Sequence, residues 1–208
     1  MKIASFDIDA QKTFTPLCPN ELPVPDGHLI VAELNAQAKL AQYRIGSKDA
    51  HSPQAIWIAT EQEPQFSPVT GANVDVRWKQ HAVPGTLGFE LLDDLPRVTD
   101  YDFFIWKGIE PDMHPYGACY HDFAEKLSTG VIEFLKQNQV TTVIVGGLAT
   151  DYCVKITVLQ LLRADLQVIV NLAACRGIQE TTVAQAITEM QAAGTAFYAN
   201  AKAIACAF

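Results

Sequence analysis

The chain has 208 residues, a formal net charge of −8 and 49% hydrophobic residues. This length suits one folded unit with an ample core, and the acidic balance argues against nucleic acid or an anionic membrane as the main partner. Asp7 falls where a secretory leader needs an apolar run, no stretch is apolar enough to span a bilayer, and the five cysteines show no CxxC spacing; a protein of the reducing cytoplasm, without disulfides, is expected.

Strand-like and helix-like patterns alternate along the chain. Residues 2–8 read as a strand, followed by a Pro-rich loop (Pro16, Pro19, Pro23, Pro25) and a helix over 29–40 with apolar residues at helical spacing. A strand over 41–47 is weak in propensity and rests on its place in the alternation. From Ser52 to Pro84 the pattern breaks down into a long Pro- and Gln-containing stretch with Trp57 and Trp78, the kind of loop that serves as a lid or binding loop. A strand over 101–106, a helix over 123–137, a strand over 141–147 and a helix over 153–162 follow. The chain closes with a strand over 166–171, a helix over 180–192 and a strand over 196–200. Serial β–α units predict an α/β fold, a three-layer α/β/α arrangement with a mainly parallel central sheet. It is read as one domain over 1–208 with a long metal or substrate loop at about 52–84. The phosphate-binding patterns GxxxxGK[ST] and GxGxxG are both absent, which weakens a nucleotide-binding reading.

Three chemistry-bearing residues fall at predicted strand ends, where a parallel sheet gathers its active site. Asp9 ends the first strand; alone it also fits a hydrogen-bonded structural carboxylate. Lys107 ends the 101–106 strand; alone it fits a lysine reaching into water. Cys153 follows Gly146-Gly147 and a short turn and opens a helix, with Thr150 or Asp151 as its cap. A thiol there feels the positive end of the helix dipole, which favours thiolate; a buried core cysteine is the ordinary alternative. The pattern Asp49-Ala50-His51 puts a carboxylate and an imidazole on one side of an extended chain. With His81 they make a mixed oxygen and nitrogen set suited to Zn(II), Fe(II) or Mn(II). His114 and His121 have no such partner nearby in sequence and read as ordinary polar residues.

Five segments carry a family resemblance: Asp9-Ala10-Gln11-Lys12-Thr13-Phe14, Lys48-Asp49-Ala50-His51, the run from Trp78 to Gly88, Trp106-Lys107-Gly108, and the run from Gly146 to Val154. In this order they resemble the metal-bearing nicotinamidases of the isochorismatase-like, Rossmann-like cysteine hydrolase superfamily. The resemblance implies a catalytic triad of Asp9, Lys107 and Cys153, and an oxyanion hole from the N–H groups of Ala149 and Cys153. It further implies one divalent metal on Asp49, His51 and His81, and a substrate pocket of Phe14, Trp78, Leu148 and Tyr152. The Leu148–Ala149 bond matches one that is cis in the family. The implied activity is metal-dependent hydrolysis of nicotinamide to nicotinate and ammonia through a cysteine thioester, in NAD salvage, with pyrazinamide as a related ligand; separately, the apolar helices leave room for a homo-oligomer. The alternative is another hydrolase of the superfamily, acting on isochorismate, N-carbamoylsarcosine or a ureido compound. The chain departs from the pattern at Trp57, where some relatives place a further histidine ligand; water, Glu61, Glu63 or Ser67 is left to complete the coordination. Glu110 to Tyr120 also departs, leaving the substrate-side tyrosine open between Tyr116 and Tyr120.

Overall fold

In the computed structural model, which describes residues 2–207 and so leaves the two ends of the expected 1–208 unit outside, six strands form one sheet. They are β1 (Ile3–Ile8), β2 (Tyr43–Asp49), β3 (Phe103–Lys107), β4 (Thr142–Leu148), β5 (Gln167–Arg176) and β6 (Ala196–Tyr198). Their order is β3-β2-β1-β4-β5-β6, and each neighbouring pair is parallel. The helices are α1 (Val31–Ala38), α2 (Val131–Gln137), α3 (Lys155–Arg163), α4 (Glu180–Ala192) and α5 (Ala201–Ala205).

Strand alternation divides the core into layers. Ala4, Phe6, Ile8, Val143 and Val145 point to one face and meet apolar residues of α2, α3 and α4. Ile3, Ile144 and Ile169 point to the other and meet Ile204 of α5, which packs beside α1. All seven residues of β4 are buried, which is why its sequence reads as a nearly continuous apolar run rather than an alternating one. Gly147, near its end, has φ +145° and an added Cβ would lie 2.0 Å from the Ile8 carbonyl oxygen; only glycine fits there.

Several bounds differ from the sequence expectation. The helix expected over 123–137 is present only as α2. Before it, the Asp122 carboxylate accepts from the N–H groups of Lys126 and Leu127, and Gly130 turns the chain at φ +89°. The weak strand after α1 is real and runs on to Asp49, while β5 extends five residues past Asn171 because Cys175 and Arg176 pair with Gly147 and Leu148 beyond a register shift. Helix α5 is absent from the sequence reading. Residues 50–97, a longer stretch than the expected 52–84, hold no helix or strand and only isolated bridges such as Ile58 with Trp78. Strand order reverses between β1 and β4, which opens a crevice at their carboxyl ends. No helix among the described residues is long and apolar enough to cross a membrane.

Candidate active site

Four neighbouring strands deliver four reactive groups to this crevice: Lys107 from β3, Asp49 from β2, Asp9 just after β1 and Cys153 just after β4. Lys107 is completely buried. Its Nζ donates to Asp49 Oδ1 and to the Pro115 carbonyl (3.1 Å), pairs with Asp9 Oδ2 at 3.1 Å and reaches Cys153 Sγ at 3.8 Å. Reactive atoms of Asp9, Asp49 and Cys153 all lie within 4.8 Å of one another. Two residues that the sequence reading assigned no role hold Asp9 and Asp49 in place. The Ser47 hydroxyl donates to Asp9 Oδ1 (2.6 Å) and accepts from the Asp9 N–H (3.2 Å). The Gln11 side chain both accepts from the Asp49 N–H (2.8 Å) and donates to the Asp49 carbonyl (2.9 Å). Alternation along β2 puts Ser47 on the Asp49 side, a signal the sequence did contain.

Charge is divided unequally among these groups. Burial opposes the charged form of Lys107, but the Asp49 and Asp9 carboxylates outweigh it and hold the ammonium firmly protonated. Burial likewise opposes ionisation of Asp49, yet Lys107 and then His51 hold its carboxyl well below the usual range. Asp9 goes the other way: burial raises it, Lys107 only partly offsets this, and the Asp49 charge adds to the rise. Burial also pushes the Cys153 thiol far up, again only partly offset by Lys107 and reinforced by Asp9 and Asp49. Lys107 and Asp49 are therefore the fixed ion pair, while burial favours the neutral forms of Asp9 and Cys153. The helix start is expected to favour thiolate at Cys153; burial of the thiol works against that.

Cys153 sits on a single π-helical turn, Thr150–Val154, ahead of α3. No side chain caps this turn. Asp151, expected as a cap, instead accepts from the N–H groups of Ile178 (3.1 Å) and Gln179 (3.4 Å) and the Thr182 hydroxyl (2.5 Å), tying the turn to the start of α4. The peptide bond Leu148–Ala149 is cis. The Ala149 carbonyl accepts from the N–H groups of Tyr152 and Val154 (both 3.1 Å), which fixes the turn below the nucleophile.

Beyond Asp49 lies a cluster of imidazoles. His51, His81 and His114 are all buried, with one ring nitrogen of each within 4.8 Å of the others. His51 Nδ1 lies 3.0 Å from the Gly108 carbonyl and His81 Nδ1 2.7 Å from the Lys79 carbonyl. A carbonyl can only accept, so Nδ1 donates in both rings and Nε2 is the nitrogen left for another partner. His51 Nε2 has no protein hydrogen-bond partner and stands 3.6 Å from Asp49 Oδ2. Burial, with His51 beside it, pushes His81 down to about 3; burial and the same neighbour also lower His114. Three buried imidazoles, with His81 and His114 held neutral by burial, beside an ionised carboxylate fit a divalent cation. His114 departs from its reading as an ordinary polar residue, because folding brings the loop after β3 against His51 and His81. Glu61 and Glu63 are exposed, and Glu63 pairs with Arg77. The Ser67 hydroxyl donates to the Pro64 carbonyl. Trp57 is fully buried with its ring against those of His51 and His114 (centroids 4.7 and 4.4 Å apart).

A narrow apolar pocket opens onto Cys153 and Ala149 and is bounded by Asp49, His81 and His114 on its inner side. Phe14, Trp78 and Tyr152 form its aromatic walls, with Leu22 and Ile178 as lining residues missing from the sequence reading. Leu148, expected at the substrate, is fully buried in the core behind this wall. Tyr116 lines the pocket and Tyr120 does not. The Trp78 Nε1–H donates to the Tyr116 hydroxyl (3.1 Å), which donates to Asp75 Oδ1 (2.8 Å).

Over 92% of its length the chain is 32% identical to the nicotinamidase of Escherichia coli (strain K12), covering 92% of that protein. It superposes on a nicotinamidase and pyrazinamidase from Acinetobacter baumanii with a TM-score of 0.87 and 27% identity, covering 97% of both chains. A pyrazinamidase of Pyrococcus horikoshii, solved in complex with zinc, superposes with a TM-score of 0.75 and 26% identity, covering 95% of this chain and 99% of that one. Residues 6–201 match the isochorismatase domain family, and with the parallel sheet and the strand-end cysteine site in place, the chain belongs to that family.

Proposed function

We propose that the protein is a nicotinamidase that hydrolyses nicotinamide to nicotinate and ammonia, with pyrazinamide as a related substrate. The observation that carries this reading is the meeting of Asp9, Lys107 and Cys153 at the floor of an aromatic pocket whose side is a histidine cluster. No arginine or lysine lines that pocket among the described residues. A flat neutral pyridine ring suits its aromatic walls.

In the acylation half, Cys153 Sγ attacks the amide carbon while Asp9 takes the thiol proton. The N–H groups of Ala149 and Cys153 hold the developing oxyanion, a contribution of about 3 kcal/mol per donor in related sites. The C–N bond then breaks, Asp9 passes its proton to the leaving nitrogen, and ammonia departs from the thioester. Water next attacks the thioester carbon as Asp9 takes a proton; the C–S bond breaks and the sulfur recovers that proton. Throughout, Lys107 stays charged and opposes build-up of negative charge on Asp9 and Cys153. Asp49, His51 and His81 would hold one divalent ion; when bound, it supplies a Lewis-acid contact that orients the pyridine nitrogen. Five unpaired cysteines suit a reducing compartment such as the cytoplasm.

The test is ammonia release from nicotinamide by zinc-loaded protein with Cys153→Ala as control. Release by the wild type and none by the variant is expected. Release of ammonia from a ureido compound but not from nicotinamide would move the assignment to another reaction of the family.

A further inference from the structure

We propose that His114 is a third imidazole ligand of the divalent ion, alongside His51 and His81. This rests on the metal reading of the site given above. The nearest ring nitrogens of the three residues lie within 4.8 Å of one another. With metal–nitrogen bonds of about 2.1 Å, two ligand atoms on one ion are separated by at most about 4.2 Å, so a small inward movement closes the shell.

The state of the His114 ring points to a missing partner. It is 4% exposed, and neither Nδ1 nor Nε2 has a hydrogen-bond partner. A neutral imidazole carries one N–H and one lone pair, and a buried ring that satisfies neither is rare unless something absent from the protein itself completes it. His51 and His81 each anchor Nδ1 on a carbonyl and leave Nε2 free; His114 has both nitrogens available.

The ring is also held in place for ligation. It lies near-parallel to His51 (18°, centroids 4.9 Å apart) and to Trp78 (12°, 5.9 Å), with Trp57 packed edge-on against it at 4.4 Å. Its backbone is pinned at three successive residues. The Trp57 indole N–H donates to the Met113 carbonyl (3.0 Å), the His114 N–H to the Asn73 carbonyl (2.8 Å), and Lys107 Nζ to the Pro115 carbonyl (3.1 Å). The residue that fixes the catalytic carboxylates thus also fixes the segment carrying the third imidazole. Three imidazoles and one carboxylate form a nitrogen-rich set, which favours zinc or iron over manganese.

The experiment combines zinc K-edge X-ray absorption on the wild-type protein with zinc affinities, by chelator competition, of wild type, His51→Ala and His114→Ala. Three-imidazole scattering is expected. A loss of affinity of at least about ten-fold is expected in His114→Ala, with unchanged circular dichroism. If wild type binds one zinc through two imidazoles and His114→Ala binds as tightly, the inference is overturned while the metal site stands. If wild type binds no zinc, or His51→Ala binds it like wild type, the metal reading fails and takes the inference with it. Should His114→Ala not fold, the imidazole count on wild type decides alone.

Discussion

Lys107 and Asp49 stand directly opposite each other across β3 and β2 and form a completely buried ion pair. One oxygen of Asp49 takes the ammonium; the other faces His51 Nε2. A single carboxylate therefore joins the cysteine chemistry to the histidine cluster.

Removing the cation leaves Asp9 and Asp49 buried together without a counter-charge. Lys107→Met is expected to lose about 3–5 kcal/mol of stability and all measurable ammonia release, read by thermal denaturation and a turnover assay. Lys107→Arg restores the charge but not a compact ammonium, so it should recover stability more than turnover. Equal recovery of both would mean that Lys107 acts only as a buried charge.

Ser47 positions Asp9 through two hydrogen bonds without contacting the pocket. Ser47→Ala should cost about 1–3 kcal/mol, since the Asp9 N–H is left buried without its acceptor. It should lower kcat for nicotinamide hydrolysis while leaving KM near its wild-type value. A change confined to KM would remove Ser47 from the base.

The chain Trp78–Tyr116–Asp75 fixes the orientation of one aromatic wall. Tyr116→Phe removes both hydrogen bonds and keeps the ring, so the expected effect is a several-fold rise in KM with kcat much less affected, the pattern of lost binding rather than lost chemistry. A drop in kcat with unchanged KM would place Tyr116 in the reaction itself.

Gly147→Ala forces a methyl into the Ile8 carbonyl at a backbone conformation that side chains rarely adopt. The expected loss is at least about 3 kcal/mol, measured by urea unfolding. Wild-type stability in this variant would show that β4 relaxes away from β1.

The sequence made the sheet legible wherever strands were short and their ends carried glycine or a charged residue, as at Gly146-Gly147 and Trp106-Lys107. The same signals located Asp9, Lys107 and Cys153. The helix expected over 123–137 lacks its first part, 123–130, because Asp122 offers the backbone a local turn in place of helical bonds, a choice that composition does not announce. His114 was missed for a different reason: 33 positions separate it from His81, and nothing local marks a histidine as a neighbour of another loop. The helix start at Cys153 is visible in sequence, whereas the burial that opposes its thiolate is not.

The lysine arm begins on β3 yet its tip serves groups at the ends of β2, β1 and β4. Adjacent strands are spaced by about 4.8 Å, so this one side chain is sensitive to the spacing of four of the six strands. A distortion that splays β3 from β1 lengthens the 3.1 Å contact between the cation and Asp9. Activity in this protein should therefore fail earlier than the fold under heat or denaturant, with the sheet edge at β3 setting the point at which catalysis stops.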